Sequence, residues 1–455
     1  MKKLQKTGSF IRGLAAGAAI LACVSAAQAH PYASEISNNV GTISFFLNES
    51  AGSVSITLTN VGLGQGTTIA GTTSRGAQTF SLTQSSVTYS NFAITVQKNG
   101  TGVFASNGPD FNVDIFEGPR AVAVNMNPKT HNFGRIYVVN ASPATGIQGP
   151  LAPGDSGLPG RAMGKGMFVL NADGSDCDGY SGTSHPTLGA WPPGESNTTV
   201  GNTYSGLGWG TSTTYGPWKA WVGPDDMVYV ADGTSYTTGQ TEGGTVWMMD
   251  PDLLTPYPLL PYVGTASPAA AANAGPACSR PIVTGSLAQG NLILSCMEFD
   301  FTGGFGLNYI QQYTVTNTTT ATLPYTGQPT TLGQTSGGYP GGLAATEGVT
   351  YDIYQGPISG EWYMCIDRSS QGGGIPGCEV FDPTGNNLLW NSIEAPATIN
   401  TDPLIQCYSV AVSPDEKYMA AVIGNVGNIV IMNITNNGAG VYAPDLTTCV
   451  TNAIA

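Results

Sequence analysis

A recurring strand–turn–strand pattern is the feature of this sequence that most restricts its fold. Three stretches each run from an apolar strand through a polar turn into a second apolar strand: residues 120–139, 219–232 and 409–422. Glycine-led third strands that end in Asp or Asn occupy residues 166–171, 244–250, 377–382 and 427–433. A weaker copy combines residues 291–296 with 309–315. Repeated units of short strands and turns indicate one small antiparallel sheet per unit.

Such units bury their apolar faces by packing against neighbouring units, which is the arrangement of a β-propeller. We count five copies within residues 110–455. The glycines that open the third strands are 78, 133 and 50 residues apart, and the longest interval fits two units. At about 40 to 50 residues per unit the region has room for up to seven blades. The Gly-, Pro-, Ser- and Thr-rich inserts at 141–165 and 180–215 are expected to be surface loops.

The segment over residues 30–104 is organised differently. Apolar and polar residues alternate there in four short runs, at residues 42–47, 53–59, 78–82 and 92–96. Alternation with a period of two predicts strands that are buried on one face, and Gly, Asn and Ser separate the runs as turn residues. We therefore expect an all-β chain in which an N-terminal β-sandwich precedes the propeller.

The amino-acid composition agrees with an all-β chain and excludes several classes of protein. Charged residues make up 10% of the 455 residues, whereas an ordinary soluble domain has about 25%. Coiled coils and long helices draw about half of their residues from Ala, Glu, Lys, Leu and Arg, but Gly, Thr, Ser and Asn dominate here. The formal net charge of −14 argues against a nucleic-acid partner, because phosphate binding needs clustered Lys and Arg.

Residues 1–29 have the layout of a secretory signal peptide. Basic residues come first, an apolar run covers residues 14–24, and Ala27-Gln28-Ala29 supplies a small-x-small cleavage site. The run is shorter than the roughly 20 residues of a membrane-spanning helix, so we expect cleavage after Ala29 and a secreted protein in the periplasm, at the cell surface or outside the cell. Lipoprotein processing at Cys23 is an alternative, which the bulky Leu21 disfavours. Cleavage would leave 11 basic residues against 29 acidic ones.

Export makes the cysteines interpretable as a disulfide framework. Seven cysteines follow the signal peptide, and six of them form three local pairs: Cys278 with Cys296, Cys365 with Cys378, and Cys407 with Cys449. Each local pair would join neighbouring strands of one unit. Six cysteines allow 15 pairings, so the connectivity stays open at this point. Cys177 is left over, as a buried or incidental thiol or as an intermolecular partner.

Several short segments resemble segments of known families of exported proteins. The segments 121–124 (Ala-Val-Ala-Val), 135–139 (Arg-Ile-Tyr-Val-Val) and 227–232 (Met-Val-Tyr-Val-Ala-Asp) resemble the NHL and YVTN propellers. Residues 43–58 resemble the opening of hook-cap-type immunoglobulin-like modules. These resemblances imply an exported bacterial protein with an immunoglobulin-like module and a propeller. We expect a non-enzymatic binding or surface-scaffold protein that recognises a protein or glycan partner through its propeller loops.

One tripeptide supports a rival function. Glu117-Gly118-Pro119 is similar to the opening of gluconolactonase- and regucalcin-like propellers, in which the Glu binds the catalytic divalent metal. That resemblance implies a metal-dependent lactonase-like hydrolase with carboxylates at the propeller axis and Glu117 as a metal ligand. Only the tripeptide matches, since no later strand aligns with the Asn- or Asp-bearing signatures of those families.

Two further groups of residues offer binding chemistry. Asp173, Asp176 and Asp178 bring together the hard oxygen ligands that Ca²⁺ prefers, although a solvated turn at a strand end is the simpler interpretation. Trp191 and Trp209 are candidates for stacking on a sugar or for anchoring a protein partner. Trp218 and Trp221 lie close to a strand and fit the packing between blades better.

Signatures of nucleophilic or redox catalysis are missing from the sequence. It contains no Gly-x-Ser-x-Gly in a strand–turn–helix setting, no Walker loop and no Cys-x-x-Cys. Cleavage after Ala29 would make His30 the mature N-terminus, where its amine and ring could chelate copper together with His131 or His185. Nothing around either residue supports that site, and a coincidence of the cleavage position is the simpler interpretation.

Overall fold

A computed structural model of the chain describes residues 31–98, 115–116, 119–140, 162–163, 166–170, 172, 190–191, 217–232, 245–253, 256–260, 274–275, 280–300, 308–316, 330–335, 349–367, 377–392, 404, 407–423, 428–436 and 440–453. These residues fall into two compact units. The first contains residues 31–98, 126–135 and 172, and the second contains the others. Apart from one 3₁₀ turn at Val61–Leu63, the regular structure in these ranges is β-strand. No helix in them is long and apolar enough to cross a membrane.

Alternating apolar and polar residues build the first unit. Its strands are β1 (Ala33–Asn39), β2 (Thr42–Leu47), β3 (Ser53–Asn60), β4 (Gln65–Ala70), β5 (Gly76–Ser81), β6 (Thr83–Gln84), β7 (Val87–Thr88) and β8 (Asn91–Gln97). They form two three-stranded antiparallel sheets, β1-β2-β5 and β4-β3-β8, and a short β6-β7 hairpin. The four strands predicted from the alternation correspond to β2, β3, β5 and β8.

One apolar core lies between these two sheets, as the period of two predicts. The inward-facing side chains include Ile43, Phe45 and Leu47 from β2 and Val54, Ile56 and Leu58 from β3. The Phe80 ring packs edge-on against Phe45 and Phe92, at centroid distances of 6.3 Å and 5.4 Å. The first unit is therefore the expected β-sandwich.

Residues 126–135 belong to the first unit although they follow β10 in the chain. The Phe133 ring lies 4.6 Å from the Tyr32 ring, and the Glu35 amide donates a 3.0 Å hydrogen bond to the Pro128 carbonyl. Gly134 has a φ of +84°, and a Cβ at this position would come within 2.8 Å of Asn48 Nδ2. Both the backbone conformation and the close approach require glycine here.

Short antiparallel strands make up the second unit. They are β9 (Ile115–Phe116), β10 (Pro119–Val124), β11 (Ile136–Asn140), β12 (Ala162–Met163), β13 (Gly166–Leu170), β14 (Ala190–Trp191), β15 (Pro217–Val222), β16 (Val228–Asp232), β17 (Val246–Met249), β18 (Pro256–Pro258), β19 (Ala274–Gly275), β20 (Ile282–Thr284), β21 (Leu292–Asp300), β22 (Asn308–Val315), β23 (Thr330–Thr335), β24 (Val349–Gln355), β25 (Trp362–Asp367), β26 (Cys378–Phe381), β27 (Leu388–Asn391), β28 (Cys407–Val412), β29 (Tyr418–Ile423), β30 (Asn428–Asn436) and β31 (Tyr442–Ala453).

Five sheets in the described part of the chain have their strands in chain order. Sheet 1 is β10-β11-β13-β14, sheet 2 is β15-β16-β17-β18, sheet 4 is β24-β25-β26-β27 and sheet 5 is β28-β29-β30-β31. In sheet 3 the two short strands β19 and β20 both pair with β21, and β22 and β23 follow. Only β9 and β12 form a separate parallel pair among these residues. Successive four-stranded meanders are the blades of a β-propeller, so the predicted fold class is confirmed, and the five copies counted in the sequence correspond to these five sheets.

Consecutive sheets pack face to face through apolar clusters. The central strands are therefore buried on both faces, and every residue of β16, β17 and β26 is buried, with no alternation of buried and exposed positions. Large buried side chains mark the four interfaces: Tyr137 and Trp247 between sheets 1 and 2, Tyr229 and Tyr313 between sheets 2 and 3, Ile310 and Trp362 between sheets 3 and 4, and Tyr363 and Met432 between sheets 4 and 5.

Glu379 interrupts the apolar sequence of β26. It is fully buried, opposite Met364 on β25 and Asn391 on β27. Neither of its carboxylate oxygens has a hydrogen-bond partner in the described residues. Burial raises the pKa of Glu379 to about 8, because a charged carboxylate loses its hydration in an apolar interior. The side chain is therefore mostly protonated at pH 7.

Glu379→Met should raise the free energy of unfolding by about 1–3 kcal/mol, since it removes an unsatisfied buried polar group. The gain should be larger at pH 9 than at pH 6. A carboxyl whose pKa rises from 4.5 to about 8 on folding makes the wild type less stable as pH increases through that window. Urea unfolding at both pH values measures this effect. Glu379→Gln is the control, and it should remove the part of the pH dependence that Glu379 causes. A Met variant that is less stable than the wild type at pH 9 would refute the interpretation.

Candidate functional site: a buried ion cluster on the first strands

The first strands of neighbouring sheets contact one another, which places them at the centre of the propeller. In four of them the pairing with the second strand slips by one residue at the same place. The slips lie between Pro119 and Ala121, Pro217 and Lys219, Thr350 and Asp352, and Cys407 and Ser409. A β-bulge of this kind changes the direction of the side chain beside it. The bulges therefore give Lys219, Asp352 and Ser409 equivalent positions in sheets 2, 4 and 5.

Asp352 is the centre of the cluster that these residues form, and it is fully buried. Its Oδ2 atom accepts hydrogen bonds from Arg280 Nη2 at 2.9 Å and from Ser409 Oγ at 2.6 Å. The Val410 amide donates to the same oxygen at 3.3 Å, and the Ile353 amide donates to Oδ1 at 3.1 Å. Donors from sheet 5 and from the segment preceding β20 of sheet 3 therefore meet on one carboxylate of sheet 4.

Lys219 brings sheet 2 into the same cluster. Its Nζ atom lies 3.6 Å from Asp352 Oδ2 and donates a 2.9 Å hydrogen bond to the Tyr408 carbonyl of sheet 5. Only 4% of its side chain is exposed. Burial lowers the pKa of Lys219, and the nearby Arg280 charge adds to that effect while Asp352 opposes it. We call Lys219, Arg280, Asp352 and Ser409 the axial cluster.

Aromatic rings border the axial cluster. The Arg280 guanidinium carbon lies 5.1 Å from the centroid of the Tyr354 ring, and that ring meets Trp221 edge-on at 5.9 Å. A guanidinium over an aromatic face gains a cation–π interaction, which is stronger where water is excluded. The arrangement therefore holds Arg280 in place from two directions, through the carboxylate and through the ring.

The contacts of the axial cluster indicate a structural role, in which it links neighbouring sheets. The Asp352 carboxylate is already bonded to protein donors, and two cationic side chains lie next to it. An incoming divalent cation would have to displace those donors against the charge of both side chains. In the described residues, no group of three or more His, Cys, Asp or Glu side chains is placed to hold a metal.

Several predicted site residues lie outside the residues that the structure describes. These are Glu117, Asp173, Asp176, Asp178, Trp209 and Cys278. Trp191 forms the end of β14, where its backbone pairs with Met167. Trp218 is 7% exposed and packs under the Arg120 guanidinium at 4.5 Å, so its assignment to the core is confirmed.

Asp225 and Asp250 stabilise turns through short-range hydrogen bonds. The Asp225 carboxylate accepts hydrogen bonds from the Met227 amide at 3.3 Å and from the Tyr229 hydroxyl at 2.8 Å. The Asp252 amide donates to Asp250 Oδ1 at 2.9 Å. These short-range bonds are the usual way in which Asp closes a turn.

The structure changes the predicted pairing of the cysteines. Cys407 and Cys449 lie on β28 and β31, the two edges of sheet 5, with two strands between them. Neighbouring strands are about 4.8 Å apart, so this separation exceeds the roughly 7 Å limit for a disulfide, and that local pair is wrong. Cys365 and Cys378 lie directly opposite each other on β25 and β26. The Cys365 sulfur also lies 2.7 Å from the sulfur of Cys407.

The axial cluster was not predicted from the sequence. Its signal was present in a chain that has few charges, because Lys219 lies inside an otherwise apolar strand and Asp352 lies between Tyr351 and Ile353. Arg280 carried no such signal, since it lies outside the repeat that the sequence showed. The sequence alone does not show which strands meet at the centre of the propeller.

Comparisons with known proteins assign no family to the chain. No protein-family model and no curated protein matches it. Solved structures similar to it include a Penicillium chrysogenum α-L-arabinanase, at 12% identity over 72% of this chain and 81% of the other, with a TM-score of 0.37. A Lactobacillus plantarum protein has 13% identity over 86% and 81%, with a TM-score of 0.35. A Bacteroides uniformis protein with the proposed name 6-phosphogluconolactonase has 12% identity over 88% and 96%, with a TM-score of 0.35. At these TM-scores, none of them assigns an activity to this chain.

Removing the carboxylate of the axial cluster should lower the free energy of unfolding far more than removing one of its cations. Asp352→Asn leaves Lys219 and Arg280 buried without a counter-charge, which should lower the free energy of unfolding by about 3–5 kcal/mol. Lys219→Met leaves the pair of Asp352 and Arg280 intact and should change it by about 1 kcal/mol or less. Urea unfolding of both variants at pH 7 measures the difference. Equal losses in the two variants would contradict the central role of Asp352.

Proposed function

We propose that this chain is an exported, non-enzymatic binding or surface-scaffold protein. The observation that carries the proposal is the axial cluster. The Asp352 carboxylate, at the place where a propeller hydrolase would need open ligands, is bonded to Arg280 and Ser409 from neighbouring sheets. The central residues that the structure describes thus hold the blades together, and recognition is left to the loops.

Features of the sequence support export and a role at the surface. Residues 1–29 have the layout of a signal peptide, and the later segments resemble NHL and YVTN propellers and a hook-cap-type immunoglobulin-like module. In this proposal the sandwich acts as a spacer or docking module. The inserts at 141–165 and 180–215, which also contain the short strands β12 and β14, supply the recognition surface, with Trp191 of β14 and Trp209 as the residues that contact a glycan or protein partner.

A metal-dependent lactonase-like hydrolase is the second candidate. It is favoured by the position of Glu117 in the chain, two residues before β10, the first strand of sheet 1. In that case Glu117 would supply one metal ligand near the centre of the propeller. Ca²⁺ binding at Asp173, Asp176 and Asp178 belongs to neither candidate and is a separate proposal.

Two assays on two variants distinguish the candidates. The full exported chain is applied to a panel of glycans and cell surfaces with and without EDTA, and it is assayed for lactone hydrolysis with added divalent metals. We expect the chain to bind at least one member of the panel, and EDTA should not change that binding. Trp209→Ala should weaken this binding by roughly tenfold or more, as for a tryptophan anchor, whereas Glu117→Gln should leave it unchanged.

Lactone hydrolysis that requires a divalent metal and is lost in Glu117→Gln would overturn the binding proposal. Thermal unfolding of both variants checks that neither substitution has disturbed the fold. Trp209→Ala is the informative variant only if its melting temperature equals that of the wild type. If it does not, Trp209→Phe keeps an aromatic ring and tests the same contact.

A further inference from the structure

Three buried cysteines meet where sheets 4 and 5 pack together. Cys365 on β25, Cys378 on β26 and Cys407 on β28 have no exposed surface and belong to one apolar cluster. Cys365 and Cys378 face each other in the strand register and share a side-chain hydrogen bond, and the sulfurs of Cys365 and Cys407 lie 2.7 Å apart. That distance is only about 0.65 Å longer than an S–S bond of about 2.05 Å.

We infer that Cys365 and Cys407 form a disulfide that joins sheet 4 to sheet 5 beside the axial cluster. Cys365 lies directly opposite Asp352 in the register of β24 and β25, and Cys407 lies two residues before Ser409. The bond would therefore fix the two strands whose side chains meet at Asp352 Oδ2.

Chain connectivity favours this pair over the alternative within sheet 4. Cys365 and Cys378 lie on strands that already pair with each other, so a bond between them would close only the short connection between β25 and β26. Cys365 and Cys407 are 42 positions apart and lie in different sheets. A cross-link that closes a longer loop removes more freedom from the unfolded chain.

Oxidation proceeds by thiol–disulfide exchange with an external low-molecular-weight disulfide. One cysteine thiolate attacks that disulfide and releases one thiol, and the second cysteine thiolate attacks the mixed disulfide and releases the other thiol. The two cysteines lose two protons and two electrons, and the external disulfide is reduced to two thiols. Burial raises the pKa of the Cys365 thiol well above its usual range, so the exchange takes place before sheets 4 and 5 close over it.

The test maps the bond in the full chain refolded from denaturant with oxidised and reduced glutathione, which makes the result independent of export. An acid quench stops exchange among the three sulfurs, because thiolate is the attacking species, and free thiols are then alkylated. Cleavage after Glu and after Lys or Arg separates the three cysteines into peptides 362–368, 369–379 and 395–416. Trypsin alone leaves Cys378 and Cys407 on one peptide, 369–417.

We expect the bonded species to be peptide 362–368 joined to peptide 395–416, with Cys378 alkylated. A bond between 362–368 and 369–379, a bond between 369–379 and 395–416, a bond to another cysteine, or alkylation of all three cysteines would each overturn the inference. Export is tested separately by finding the chain outside the cytoplasm, so the two proposals can fail independently.

Thermal unfolding supplies a second readout with a matched control. Without reductant, Cys407→Ala should melt roughly 5–10 °C below Cys378→Ala, because only Cys407→Ala lacks the bond. Unfolding in dithiothreitol should remove most of this difference. Equal melting temperatures of the two variants without reductant would contradict the assignment, and Cys365→Ala provides the same test should Cys407→Ala fail to fold.

Discussion

The buried carboxylate of Asp352 is the interaction on which the centre of the propeller depends. A carboxylate with no exposed surface must be matched by donors and positive charge, because an unpaired buried charge costs several kcal/mol. The partners of its Oδ2 atom come from outside sheet 4: Arg280 precedes β20, Ser409 and the Val410 amide belong to β28, and Lys219 belongs to β15. Strands of sheets 2, 4 and 5 and the segment before β20 of sheet 3 are thus required to meet at the same point.

The apolar clusters between sheets act differently from this charge cluster. Apolar packing such as that of Tyr137 and Trp247 stabilises neighbouring sheets in proportion to the area that it buries, and it tolerates small shifts. A carboxylate that receives hydrogen bonds of 2.6–3.3 Å does not tolerate such shifts, because the bonds weaken when the distances change. Buried ion pairs often add little net stability, so we interpret the axial cluster as fixing the position of the first strands. The sulfurs of Cys365 and Cys407 lie next to it and reinforce the same junction.

Local patterns in the sequence were sufficient to predict the fold class. Alternation over residues 42–47 and 53–59 predicted β2 and β3, and the repeated strand–turn–strand units predicted the sheets of the propeller, because both patterns depend on burial within one unit. Contacts between units could not be predicted in this way. Closeness along the chain favours a pair of Cys407 with Cys449, yet sheet topology separates those two residues and brings Cys407 to Cys365 of another sheet.

The most direct test of the central claim compares hydrogen exchange at backbone amides in the wild type and in Asp352→Asn. If Asp352 holds the first strands together, its loss should reduce protection in β15 of sheet 2 and β28 of sheet 5 as well as in β24 itself. Amides of β3 and β8 in the sandwich should keep their protection and serve as the internal control. A loss of protection confined to β24, with β15 and β28 unchanged, would contradict the account.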